Sequence, residues 1–271
     1  MNKKVFFFFI ILFAFAACNN NNDDKKAASA SASAKPEIPP QVKRLMEEVK
    51  QHPDSSGLRF KLATSLDSIG SYKEALGQMD SLIKNDSLNY GFWFAKAQIF
   101  EHAKDTAQAI QDYGRAIKIY PSPQALLSVA NLYAEQKNER SILICNQVRN
   151  MGLGRETDAG CDFIAGVYNA RTGNKQQAIK LFDRCIANDY TYMPAYIEKG
   201  LVYFDGKQYR EALNVFQFAS TVDHLYADAY YYMARCYEMI NIKDSAVLRF
   251  KQAISLDKTL TQAYEGLKRV Q

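Results

Sequence analysis

Apolar side chains recur along most of this chain at the spacing of amphipathic helices. In the stretch 90–122, the spacing i, i+4, i+7 places three of them on one face of a predicted helix: Trp93, Ala97 and Phe100. A second predicted helix carries the same spacing in Ala109, Tyr113 and Ala116. Pro121 ends this second helix, because proline cannot continue one. The pattern therefore predicts two helices joined by a short turn.

This two-helix pattern repeats about every 34 residues, as two series of matching residues show: Ala178, Ala212 and Ala246, and Phe182, Phe216 and Phe250. Where the two helices of a unit cross, a small residue lets their backbones approach, and all six units have one: Ala63, Ala97, Ala130, Gly166, Gly200 and Ala234. The period predicts six units, at 56–89, 90–122, 123–158, 159–192, 193–226 and 227–260.

A 34-residue period with these residue types resembles the tetratricopeptide repeat. The resemblance implies an all-α fold, a right-handed superhelical solenoid of about six helix-turn-helix repeats over 56–260. The end units of a solenoid need a polar outer face. We therefore interpret 41–55 as an N-terminal capping helix and 261–271 as a C-terminal capping helix.

The third and fourth repeats depart from the pattern. In the third, Ile142 and Arg149 replace small residues. In the fourth, Asp162 and Asn169 stand at positions that are usually apolar. We expect a local irregularity over 138–169, and three explanations are open: a hinge, a binding feature or simple decay of the repeat.

The first 17 residues have the pattern of a secretory signal. A basic start precedes an apolar run over 5–17, whose thirteen residues span about 20 Å as a helix, too short for a hydrocarbon core of about 30 Å. An A-x-A site at Ala14 to Ala16 would release a soluble protein. The segment Phe15 to Cys18 resembles the lipobox of bacterial lipoproteins, with Phe15 where leucine is usual. We favour lipidation of Cys18.

The stretch 18–40 is rich in Asn, Asp, Ser, Ala and Pro, which predicts a disordered, lipid-anchored linker. Together these features predict a protein of the bacterial cell envelope, lipid-anchored to a membrane. The outer membrane is favoured, with the chain facing the periplasm or the cell surface.

Composition and motifs argue for a non-enzymatic protein. The net charge is +5, from 34 basic and 29 acidic residues, too mild and evenly spread for a nucleic-acid partner. No catalytic or phosphate-binding motif occurs, so we expect no cofactor, no metal and no small-molecule substrate. The four cysteines after Cys18 are interpreted as apolar fillers, with disulfides as the alternative: Cys145, Cys161, Cys185 and Cys236.

The resemblance implies that the first helix of each repeat lines a concave groove for a partner. One position per repeat is large and apolar, at Phe60, Phe94, Leu127, Phe163, Ile197 and Tyr231. The position one turn later holds Thr64, Gln98, Asn131, Val167, Leu201 and Arg235, and Arg171, Phe204 and Glu238 lie further along. Such an apolar series is typical of a binding site. The alternative is that these side chains pack against their own neighbours.

Two function classes follow. The favoured one is an envelope scaffold or adaptor that binds a segment of a protein or peptide partner in the groove. The alternative is a holdase or carrier for exported unfolded chains, which would use the same groove without sequence preference. A cell-wall glycan receptor is a weaker third hypothesis.

Overall fold

The computed structural model describes residues 38–271, which form fourteen α-helices and no strand. Their bounds are α1 Pro40–Gln51, α2 Ser56–Ser68, α3 Tyr72–Asn85, α4 Tyr90–His102, α5 Thr106–Ile119, α6 Pro123–Glu135, α7 Arg140–Arg149, α8 Arg155–Arg171, α9 Lys175–Asn188, α10 Met193–Asp205, α11 Tyr209–Val222, α12 Ala227–Met239, α13 Lys243–Leu256 and α14 Thr261–Val270. The predicted all-α superhelical repeat fold is confirmed. The predicted signal, Cys18 and nearly all of the predicted linker lie outside the described residues.

The helices form six consecutive pairs, from α2 with α3 to α12 with α13, and each pair packs against the next. The helix α1 packs on the first pair and α14 on the last. In α14, Ala263, Gly266 and Val270 face the stack, while Lys268 and Arg269 are exposed. The last helix thus covers the apolar end of the stack with a polar surface. Within 38–271, no helix is both long and apolar enough to cross a membrane.

At three of the five joints between successive repeats, an aromatic side chain donates a hydrogen bond to the preceding turn. Trp93 Nε1 donates to the Ser87 carbonyl over 2.8 Å. Equivalent hydroxyl bonds run from Tyr196 to the Tyr190 carbonyl, 2.9 Å, and from Tyr230 to the His224 carbonyl, 3.1 Å. In the fourth repeat the same position holds Asp162, so this joint requires a different contact.

Two of the small residues at the helix crossings are glycines because an aromatic ring occupies the space of a side chain. A Cβ at Gly200 would lie 2.3 Å from the ring of Phe216, and a Cβ at Gly166 would lie 2.5 Å from the ring of Phe182. Both rings are fully buried, so neither can turn into solvent.

We expect Gly200→Ala to destabilise the fold, because the added methyl forces the Phe216 ring to move, at about 1–3 kcal/mol for such overpacking. Gly114→Ala is the matched control, since no atom lies within 4 Å of its Cβ position. That change should stabilise the helix by about 0.5–1 kcal/mol, the usual advantage of alanine over glycine. Urea unfolding of the two variants measures the difference. Equal effects would show that the Gly200 crossing is not close.

Candidate interaction surface

The first helices of the six repeats form the surface on which the predicted binding residues lie. We call it the first-helix face, composed of α2, α4, α6, α8, α10 and α12. Four pairs of successive first helices are in direct contact: α2 with α4, α6 with α8, α8 with α10, and α10 with α12.

The predicted apolar series is not an exposed stripe on this face. Three of its four aromatic side chains contact a ring on the second helix of their own repeat: Phe94 with Tyr113 at 5.5 Å, Phe163 with Phe182 at 6.0 Å and Tyr231 with Phe250 at 6.0 Å. Phe94, Leu127 and Phe163 are half-buried against the core clusters. The rings therefore fill the gap between the two helices of a repeat, as the alternative interpretation expected.

Three of the predicted binding residues need a correction. Val167 is fully buried, and Ile197 and Tyr231 are each only 8% exposed. They belong to the core clusters of the fourth, fifth and sixth repeats and offer almost no surface to a partner. Leu201 and Phe204 are half-buried against the core of the fifth repeat.

Phe60 has a different environment from the other members of the series. Its ring lies 6.0 Å from Phe92 on the next first helix, and the two rings line an open pocket of about 330 Å³. The other lining residues are small or polar: Ser56, Gly57, Asn89 and Gly91. No atom lies within 4 Å of the Cβ position of Gly57, so the glycine leaves the pocket mouth open. The pocket is an apolar recess between α2 and α4.

Polar side chains one helical turn further along continue this accessible region. Thr64 and Gln98 are exposed, and Asn131 is half-buried. The Asn131 Oδ1 atom is buried and has no hydrogen-bond donor among the described residues. The equivalent positions in the next two repeats are the buried Val167 and the half-buried Leu201. The accessible part of the first-helix face therefore lies in the first three repeats.

The predicted charged residues tie repeats together. Arg171 donates to both oxygens of Glu135 over 2.8 and 2.9 Å, and to both oxygens of Glu198 over 2.8 and 3.0 Å. These bonds join α6, α8 and α10. The hydrogen bonds to Glu198 and Glu135 raise the pKa of Arg171 above its ordinary value, although burial acts in the opposite direction.

A second charged group closes the C-terminal end of the face. Arg269 on α14 donates to Glu238 over 2.8 and 3.1 Å, and this bond lowers the pKa of Glu238. Arg235 donates to the Tyr231 hydroxyl over 3.2 Å, and its guanidinium lies 5.7 Å from the ring centre of Phe204. Arg235, Glu238 and Arg269 therefore each have a partner within the protein.

The irregular third and fourth repeats contain a buried ion pair. Arg149 at the end of α7 donates to Asp162 on α8, which is fully buried. The same carboxylate contacts Arg184 at 2.8 Å and accepts from Asn188 at 3.3 Å. Burial raises the pKa of Asp162, although Arg149 and Arg184 oppose the shift. Arg149 and Asp162, the two residues that depart from the repeat pattern, are therefore partners in one ion pair.

Potential metal ligands are not clustered within 38–271, where no group of three or more His, Cys, Asp or Glu side chains could hold an ion. His102 instead contacts Asp67 over 2.9 Å and links the first two repeats.

Comparison with known proteins agrees with this architecture. Family models described as Tetratricopeptide repeat match residues 60–125 and 228–258. A tetratricopeptide repeat protein from Parabacteroides merdae is similar in structure, with a TM-score of 0.70 and 19% identity over 84% of this chain and 90% of that one. PilW, a type IV pilus biogenesis factor, has a TM-score of 0.61 and 18% identity over 80% and 98%. Yeast Tom70 has a TM-score of 0.58 and 16% identity over 84% and 57%. At these identities the likeness shows the fold alone. No curated protein sequence matches the chain.

Proposed function

Because this chain is a tetratricopeptide repeat protein, we propose that it is a non-enzymatic scaffold that binds a segment of a partner protein on the first-helix face of its first three repeats. The observation that carries the proposal is the open apolar pocket between Phe60 and Phe92, beside the exposed polar side chains of the same face. Arg171 links the third repeat, which is part of this surface, to the fourth and fifth repeats.

The pocket and the polar side chains suit different parts of a partner segment. An apolar side chain that enters the Phe60–Phe92 pocket gains about 1.5–3 kcal/mol from burial. The exposed amide group of Gln98 can donate to and accept from the backbone of the segment. Apolar contact then supplies most of the affinity, and the hydrogen bonds fix the position of the segment.

Replacing Phe60 and Gln98 together by alanine should weaken partner binding at least about tenfold, because an interface anchor typically contributes more than 1 kcal/mol. The matched control replaces Phe218 and Gln111, which are exposed on second helices. Partners captured from cells by the native chain are titrated against both double variants, with helix content measured by circular dichroism.

Equal losses in both variants, or no loss in either, would contradict binding at the first-helix face. Binding of many unrelated unfolded chains with similar affinity would favour the holdase alternative instead.

The envelope location is a second part of the proposal and rests on the sequence around Cys18. A diacylated Cys18 would hold the chain at a membrane, since each buried CH₂ contributes about 0.8 kcal/mol. The 21 residues between Cys18 and α1 reach about 70 Å when fully extended, enough to let the solenoid meet its partner away from the bilayer.

Cys18→Ser should move the protein from the membrane fraction to the soluble fraction in its own host. Ser29→Ala, within the same linker, is the control and should leave the protein at the membrane. Quantitative immunoblotting of the two fractions measures the shift. Recovery of a native mature N-terminus at Ala17, with Cys18 unmodified, would contradict the lipid anchor.

A further inference from the structure

Two cysteines lie against each other at the joint between the third and fourth repeats. Cys161 on α8 donates its thiol hydrogen to the Cys145 carbonyl on α7 over 3.5 Å, and both side chains belong to the same core cluster. Both side chains are buried, at 1% and 0% exposure. They lie apart from the Phe60–Phe92 pocket and take no part in the proposed binding.

We propose that Cys145 and Cys161 are a site of reversible oxidation, where thiol–disulfide exchange with a disulfide reagent, or with the disulfide form of an oxidoreductase, closes a disulfide between α7 and α8. A disulfide requires Cβ atoms about 3.5–4.5 Å apart. The Cys161 sulfur lies 3.5 Å from the carbonyl oxygen of Cys145, so the two residues are neighbours across the α7–α8 contact, and closure brings the two sulfurs to about 2.05 Å. The site is independent of the proposed partner binding.

The exchange proceeds in two steps, with Cys161 as the attacking group. Its thiolate attacks one sulfur of the reagent disulfide R–S–S–R, forms a mixed disulfide and releases one R–S⁻. The Cys145 thiolate then attacks the Cys161 sulfur, forms the Cys145–Cys161 bond and releases the second R–S⁻. The protons from the two cysteine thiols end on the two released R–S⁻ groups. The cysteines lose two electrons and the reagent gains them.

The surroundings of the pair support this order of attack. The bond from the Cys145 thiol lowers the pKa of Cys161, as does nearby Arg149, whereas burial opposes both. Donating that bond, together with burial, raises the pKa of Cys145. The other charged groups near the pair are Asp158 and Asp162, whose carboxylates oppose ionisation of Cys161. The residues that join the two helices include Gly152 and Gly154, both with positive φ, and opening of this turn gives the reagent access.

The other two buried cysteines serve as internal controls. Cys185 belongs to the same core cluster as the pair and faces the backbone of Phe163, whereas Cys236 lies in another cluster near Arg235. Arg149 and Arg155 both lie between Cys145 and Cys161, so trypsin separates the two cysteines unless a disulfide links their peptides.

The test treats the folded, reduced full chain with glutathione disulfide, then alkylates the remaining thiols and analyses tryptic peptides by mass spectrometry. Cys18→Ser is present throughout so that the anchor cysteine does not react. We expect the peptide of Cys145 to be linked to that of Cys161, with the mass lower by two hydrogen atoms and with complete reversal by dithiothreitol. Cys145→Ala should abolish the link, and the double change Cys185→Ala with Cys236→Ala should preserve it.

The proposal is overturned if both thiols remain alkylatable under excess disulfide. It is also overturned if the link forms only in urea, or if Cys161 links preferentially to Cys185 or Cys236. Because alanine is a small apolar replacement at a buried cysteine, the variants are expected to fold, and their circular dichroism spectra establish that they do.

Discussion

Arg149→Ala is expected to lower the free energy of unfolding by about 3–5 kcal/mol, because it leaves the carboxylate of Asp162 buried without its main partner. Asp162 is fully buried, and after the loss of Arg149 its carboxylate keeps only Arg184 and Asn188 as partners. The effect should be largest at the joint between the third and fourth repeats. There this ion pair replaces the hydrogen bond that an aromatic side chain makes to the preceding turn at other joints. Urea unfolding followed by circular dichroism measures the free energy, and hydrogen exchange locates the loosened helices.

Arg184→Ala is the matched control, because Arg184 contacts the same carboxylate but its side chain is 60% exposed. Surface ion pairs contribute about 0–1 kcal/mol, so this variant should remain close to the native stability. Replacing both members of the buried pair, as in Arg149→Met with Asp162→Leu, should restore most of the stability lost in the single variant. A single Arg149→Ala variant as stable as the Arg184→Ala control would contradict the buried pair.

Phe163→Ala is expected to destabilise the protein by about 3 kcal/mol, the lower end of the range for a buried aromatic side chain, because the ring is half-buried against the core. The ring packs 6.0 Å from Phe182 and 5.1 Å from Tyr192, so its removal leaves a cavity between α8, α9 and the turn before α10. Phe60→Ala is the control at the equivalent position of the first repeat. Phe60 lines an open pocket, so its loss should cost only about 1 kcal/mol.

The comparison between these two variants distinguishes core from binding surface at one repeat position. Thermal and urea unfolding of both should show a large shift for Phe163→Ala and a small one for Phe60→Ala. A small effect at both positions would mean that the whole apolar series is surface, as the sequence pattern alone suggested. A large effect at both would remove the Phe60 pocket from the accessible face.

The helices and the repeat were predictable because they depend on local spacing. The 34-residue period and the small residues at the helix crossings predicted the fold, and the buried rings of Phe182 and Phe216 against Gly166 and Gly200 give the physical reason. A period of 3.6 residues places Phe163 on one side of its helix, but it does not distinguish the outer face from the gap beside the second helix. The direction of that ring depends on Phe182, which fills the same gap.

The buried ion pair was visible in the sequence only as two separate anomalies. Arg149 and Asp162 each broke the repeat pattern, but they are 13 residues apart and lie on different helices, so helical periodicity does not connect them. A usable signal was present, since the two departures carry opposite charges and occur on either side of one repeat joint. The Phe60–Phe92 pocket was harder to predict from the sequence, because Phe92 lies outside the positions that define the predicted groove.

The most direct test of the central claim is photo-crosslinking in intact cells, with a photoreactive amino acid placed at Gln98 on the first-helix face or at Gln111 on the second helix of the same repeat. Both positions are exposed, so a difference between their adducts reports which helix faces the partner and not how accessible each position is. We predict a discrete partner adduct from Gln98 that disappears on Phe60→Ala, and none from Gln111. An adduct from Gln111 alone, or a Gln98 adduct that is unchanged by Phe60→Ala, would contradict binding at the first-helix face.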